Sequence, residues 1–200
     1  INNDLDLIYN KKGELTAKNI DFNLFPIRDY LKYINTNDGQ STLELSVKTK
    51  NCNVSLDSSG RKILADKINI NITPLETEAY LSHNGGGVVF KSQDNNFSVY
   101  GNGLNDSFMN ELFKFSRFKG GELSFVMQGS FDEFDGYMKT NNTIMKDYTV
   151  INNVLAFFNT IPSLVTFSVP GYSRRGIMVE EMYASFHKKG SKVLIEDAKI

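Results

Sequence analysis

The sequence predicts a mainly β protein of antiparallel strands, interrupted by about three short amphipathic helices. Two observations predict it. Apolar and polar residues alternate with a period of two over many short stretches, as in strands with one buried and one wet face. Turn-forming Asn, Asp and Gly residues recur between those stretches at hairpin spacing. Roughly a dozen strands fit that spacing. A sandwich, a barrel and a long meandering sheet all satisfy it.

From the N-terminus, Leu5-Asp6-Leu7-Ile8-Tyr9 alternates and is followed by the turn signal Lys11-Lys12-Gly13. Pro26 to Ile34 reads as the first helix, with proline in its first turn and Ile27, Tyr30, Leu31 and Ile34 as its stripe. After Asn37-Asp38-Gly39, a strand carries Leu43, Leu45 and Val47 on one face. Asp57-Ser58-Ser59-Gly60 turns into Ile68, Ile70 and Ile72, which alternate with Asn69, Asn71 and Thr73. Asn84-Gly85-Gly86-Gly87 and Asp94-Asn95-Asn96 mark two further turns, and Phe97, Val99 and Gly101 share the next face.

Asn105 to Phe115 reads as the second helix, capped by Asn105 or Asp106, with the stripe Phe108, Met109, Leu112 and Phe113. Leu123, Phe125 and Met127 then alternate with Glu122, Ser124, Val126 and Gln128, and Asp135-Gly136 signals another turn. Asp147 to Ile161 is the third helix, stopped by Pro162. Met178, Met182, Ala184 and Phe186 share a parity broken by Glu180, and Lys189-Gly190-Ser191 leads to a last strand from Lys192. No low-complexity linker divides the 200 residues, so a single β-rich domain over 1–200 is expected.

Composition narrows the function. Apolar residues make up 40% and charged residues 22%, the balance of a folded chain. The net charge of −1 supplies no basic surface for nucleic acid and no pull toward anionic headgroups. The one cysteine, Cys52, reads as a small strand residue. No apolar run is long enough to cross a bilayer as a helix. The first residues lack an initiator Met and enter a strand pattern at once, so a C-terminal fragment of a longer, membrane-anchored protein is expected, with its anchor upstream.

Catalytic groups are sparse. Gly101-Asn102-Gly103 and Gly85-Gly86-Gly87 do not continue as phosphate loops and read as hairpin glycines. His83 and His187 have no ligand cluster or Gly-x-Ser-x-Gly elbow and read as surface or edge residues. Asp132, Glu133 and Asp135 read as a solvated hairpin tip, Glu180-Glu181 as a wet border, and Arg174-Arg175 as an exposed loop. No enzyme, cofactor or metal is expected.

The last third carries a resemblance. Gly120-Gly121-Glu122-Leu123-Ser124-Phe125 is followed by Phe134-Asp135-Gly136-Tyr137-Met138, then by Val154-Leu155-Ala156-Phe157-Phe158 through Ile161-Pro162-Ser163-Leu164. Gly176 to Tyr183 and Ile195-Glu196-Asp197-Ala198 complete the pattern. This order, over 120–200, resembles the C-terminal region of the AsmA-like superfamily, the bridge-like lipid transport proteins of YhdP and TamB type. Ala198 stands where that family often has Gly, and Gly176 opens Gly-Ile-Met-Val in place of Gly-Phe-Ser-Phe.

The resemblance implies a long, curved, taco-like antiparallel sheet with an apolar groove. It also implies a periplasmic protein, anchored in the inner membrane, that carries phospholipid or another acyl-chain lipid to the outer membrane. Strand parity then nominates Leu123, Phe125, Met127, Met138, Met182 and Phe186 as groove lining, and Val154, Leu155 and Phe158 as a helical gate. The alternative is a non-catalytic assembly module that docks an outer-membrane or periplasmic protein.

Overall fold

The structure, a computed structural model, describes residues 6–9, 14–18, 21–23, 45–55, 62–113, 117–146, 177–190 and 192–199. Three short strands come first: β1 (Asp6–Tyr9), β2 (Glu14–Lys18) and β3 (Asp21–Asn23). A series of longer ones follows: β4 (Leu45–Ser55), β5 (Lys62–Ile72), β6 (Glu76–His83), β7 (Gly86–Gln93) and β8 (Asn96–Asn105). The helix α1 (Asp106–Phe113) and the two-residue β9 (Phe118–Lys119) interrupt them. The chain then continues as β10 (Glu122–Ser130), β11 (Glu133–Met145), β12 (Ile177–Lys189) and β13 (Lys192–Lys199).

All thirteen join one sheet in the order β1-β2-β4-β5-β6-β7-β8-β10-β11-β12-β13, with β3 beside β4 and β9 beside β11. Among the described residues the order does not return on itself, so the sheet is open, with β1 and β13 at its two ends. From β4 onward the main path is an antiparallel meander, but β2 and β3 both run parallel to β4. The sheet is thus not wholly antiparallel as the sequence suggested.

The turns follow local chemistry. Between β6 and β7, Asn84 and Gly85 take φ of 47° and 88°, the paired left-handed residues that a two-residue hairpin with native twist requires. Asp94, also left-handed, turns β7 into β8. Asp135-Gly136, expected as a turn, instead lies inside β11. The chain turns earlier, at Phe131-Asp132, where the Ser130 hydroxyl accepts from the Glu133 amide at 3.0 Å.

Among the described residues there is one helix, where about three were expected. The other two expected helices, Pro26–Ile34 and Asp147–Ile161, fall outside the described residues. In α1 the Asn105 side chain is the cap: its Oδ1 accepts from the Phe108 amide at 3.3 Å. Phe108, Met109 and Phe113 form its buried stripe. Asn110 fastens the following loop, accepting from the amides of Arg117 and Phe118 and donating to the Phe118 carbonyl.

Strand parity holds over most of the sheet and resets at several places, two of them shared by neighbouring strands. On β4 and β5 the inward residues are Val47 and Thr49, then Cys52 and Val54, opposite Ile63 and Ala65, then Ile68, Ile70 and Ile72. The reset lies at Asn51, whose φ is 52°, level with Asp66. On β11 and β12 it lies at Asn142, whose φ is 53°, level with Glu180. Each reset turns two consecutive residues outward and keeps the inner face continuous. This corrects one expectation: Met178 does not share a face with Met182. Val179 is buried there, and Met178 is 70% exposed.

Candidate functional site

The inner face is built row by row from the register. Opposite Leu81 of β6 stands Val88 of β7, opposite Val88 stands Gly101 of β8, and opposite Gly101 stands Phe125 of β10. Phe125 faces Met138 of β11, and Met138 faces Ala184 of β12. The next row runs Ile70, Ala79, Phe90, Val99, Met127, Gly136 and Phe186. Every side chain in both rows is apolar or absent. Toward the rim, the face also carries the buried hydroxyls of Thr77 and Ser92.

Two glycines seat aromatic rings on this face. A Cβ at Gly101 would lie 2.4 Å from Cε1 of Phe125, and one at Gly136 would lie 2.1 Å from Cζ of Phe186. Each ring therefore occupies the space that a Cβ on its cross-strand glycine would fill. Farther along, Phe97 meets Phe131 and Phe134 at 5.2 Å between ring centroids, and Phe134 meets Phe186 at 6.4 Å. Such offset and edge contacts hold rings in fixed orientations.

The buried side chains divide into two clusters. One, on β4 and β5, holds Val47, Cys52, Val54, Ala65, Ile68, Ile70 and Ile72. The other lies beneath α1, where Leu104, Phe108, Met109, Phe113 and Phe118 meet Ile63, Leu123, Met138, Met145, Val179 and Met182. Between them, Ala79, Leu81, Val88, Phe90, Val99, Phe125 and Met127 are half-buried; Leu81, Val88 and Phe125 pack against the cluster beneath α1, and Ala79 and Leu81 against the other.

All six lining residues expected from the sequence face this side, yet they divide by environment. Leu123, Met138 and Met182 are enclosed in the cluster beneath α1. Phe186 is buried against Gly136. Only Phe125 and Met127 lie in the half-buried band. The gate residues Val154, Leu155 and Phe158 fall outside the described residues. The sequence reading missed Ala79, Leu81, Val88 and Phe90. Their signal was the pair of turns at Asn84-Gly85 and Asp94-Asn95, which fixes the register of β6, β7 and β8.

His83 is buried, not at the surface. The short β6–β7 hairpin ends beside α1, so its last inward residue meets the helix instead of solvent. The imidazole Nδ1 donates to the Leu64 carbonyl, and Nε2 lies 2.7 Å from the Ser107 hydroxyl. Its ring meets Phe108 edge-on at 5.5 Å. Together with Glu111, which accepts from the Leu64 amide at 2.9 Å, His83 ties β5 to the helix where the sheet has no intervening strand.

The outer face carries the charges. His187 lies 2.7 Å from Asp135 and 3.3 Å from Glu133, which also meets Lys189 at 2.9 Å. The hydrogen bond to Asp135 raises the His187 imidazole above its usual range. The bond from Lys189 lowers the Glu133 carboxyl. Among the described residues no group of three His, Cys, Asp or Glu is arranged to hold a metal ion. A depression of about 420 Å³ bounded by Gly121, Glu122, Asn141 and Asn142 is open and lined by polar residues. The Cys52 side chain is buried. The half-buried apolar band is the candidate site. Comparison with known proteins found no matching family model, no matching curated protein and no matching solved structure.

Proposed function

We propose that the inner face binds acyl chains, and that the chain is the lipid-binding module of a periplasmic, bridge-like transport protein of AsmA-like type. In this reading a segment outside the described residues, or outside this chain, anchors the protein in the inner membrane. Phospholipid moves toward the outer membrane along the inner face with its headgroup in water.

One observation carries the reading: the half-buried apolar band between two separate buried clusters. Strands lie about 4.8 Å apart, so the band from β6 to β10 is roughly 14 Å wide. That is close to half of the ~30 Å hydrocarbon core of a bilayer, the depth of one acyl chain. Each methylene kept from water contributes about 0.8 kcal/mol, so a band of this size holds a tail without any polar bond. The left-handed residues Asn51, Gly103 and Asn142 favour local bending, the geometry that turns a flat sheet into a trough.

Native mass spectrometry of the purified chain after exposure to phospholipid vesicles tests the reading. Phospholipid adducts are expected on the wild type. Val99→Glu and Phe125→Glu should each remove most of them while the β-sheet circular dichroism remains, because both side chains are half-buried on the band. Val126→Glu, on the outer face, should leave them intact. Undiminished lipid in both inner variants would reject the assignment. Met182 is a poorer probe, since a charge there would enter the cluster beneath α1.

A second reading rests on the open sheet edge. Among the described residues β13 is an end strand of the sheet, and such an edge can pair with an extended segment of an envelope protein. Delipidated protein that binds such a partner but extracts no lipid would favour it.

A further inference from the structure

On the outer face, a second row runs across five strands in direct register: Tyr80 of β6, Val89 of β7, Tyr100 of β8, Val126 of β10 and Tyr137 of β11. Four of the five are exposed, Val89 is half-buried, and the Tyr137 ring stacks on Tyr183 of β12 at 6.1 Å. Tyr80 is 42% exposed, Tyr100 53%, Val126 37% and Tyr137 38%. The tyrosines stand on every second strand of the row, so their rings repeat at roughly 10 Å.

The surroundings of the row are polar in a particular way. Ser98 and Gln128 flank its centre on one side, and Asn102 and Ser124 on the other. The Ser124 hydroxyl donates to Asn102 Oδ1 at 2.9 Å. Nearby charges sit toward the ends and are paired: Lys91 with Glu78, Lys139 with Glu181, and Asp135 with His187. Gly87 leaves space for the first ring, since a Cβ there would sit 3.2 Å from Cε2 of Tyr80.

We infer that this row is a binding platform for a linear, uncharged, β-1,4-linked glycan. In an extended chain of that linkage, alternate sugar rings present the same face, and every second ring meets a tyrosine. A sugar ring has an apolar face and a hydroxyl rim. The apolar face stacks on the tyrosine ring, and the rim meets Ser, Asn and Gln. The paired charges leave no net field to favour an ionic ligand. A membrane surface fits less well, because it calls for basic flanks. A protein partner fits less well too, because a row one side chain wide is narrow against the ~800 Å² that a stable interface buries on each side. The inference does not depend on lipid binding by the opposite face, and failure of lipid binding leaves it standing.

Titration calorimetry of the whole chain with chitohexaose and cellohexaose tests it, with dextran as the control linkage. At least one hexasaccharide should bind, more tightly than its disaccharide, and dextran should not bind. Tyr100→Ala and Tyr80→Ala should each weaken binding about tenfold, the upper range of one ring contact, while Tyr100→Phe retains it. The inference is overturned if neither hexasaccharide binds, or if both alanine variants bind as the wild type does. It is also overturned, in favour of a second copy of the chain, if the protein dimerises through this row and no glycan competes.

Discussion

Met109→Ala is expected to destabilise the fold by about 2–5 kcal/mol, the range for truncating a fully enclosed side chain. Met109 has no accessible surface. It lies in the cluster that includes Leu104, Leu123 and Met138, and the Thr140 hydroxyl approaches its sulfur at 3.8 Å. Removing it empties the seam between α1 and the sheet. Alanine's better helix propensity recovers only a few tenths of a kcal/mol. Urea unfolding followed by circular dichroism measures the loss, with Val126→Ala as a comparison. That outer-face change should cost well under 1 kcal/mol, as exposed positions do. Equal losses in the two variants would mean that α1 does not seal this end of the sheet.

Gly86→Ala is expected to destabilise by at least the ~1–3 kcal/mol typical of overpacking, because its neighbours are backbone atoms. A Cβ at Gly86 would meet the Gly103 carbonyl oxygen at 2.3 Å, its carbon at 2.6 Å and the Leu104 amide nitrogen at 2.9 Å. No side-chain rotation relieves such a contact. The hairpin must shift, and with it His83, whose bonds to Leu64 and Ser107 fasten β5 to α1. Gly85→Ala separates sterics from backbone preference. Gly85 has φ of 88° and open space around its Cβ position, so only the left-handed conformation opposes it, at about 1–2 kcal/mol. Denaturant midpoints of the two variants should differ, with Gly86→Ala the lower.

Much of the fold was legible because local signals agreed with the global one. Ile68, Ile70 and Ile72 alternate and are buried, Asn84-Gly85 turns, and Asn105 caps the helix whose stripe is Phe108, Met109 and Phe113. What stayed hidden depends on partners across the sheet. Asn51 and Asn142 look like ordinary polar strand residues, and only their left-handed backbone reveals that parity resets there. Met178 was misplaced for that reason. Gly136 carries a turn residue's identity, yet it serves as the seat of the Phe186 ring. His83 looks like a hairpin residue at the surface, and its burial follows from a helix that begins 23 positions later, at Asp106.

The candidate site was legible in outline only. Parity put Leu123, Phe125, Met127, Met138, Met182 and Phe186 on one face, but parity cannot say which residues a helix will cover. α1 takes Leu123, Met138 and Met182 into its cluster, while Phe125, packed against that cluster, and Met127 stay half-buried. The tyrosine row has no signature along the chain at all. Its members lie on five different strands and meet only through register.

The inner-face assignment is tested most directly by photo-crosslinking from adjacent positions that face opposite ways. A benzophenone side chain is placed at position 99, on the inner band, and separately at position 100, on the outer row. Each protein is irradiated with phospholipid vesicles and its mass is measured. Acyl-chain adducts from position 99 and few from position 100 are the predicted result. Equal yields from the two positions, or none from position 99 in a protein that keeps its β-sheet signal, would contradict it.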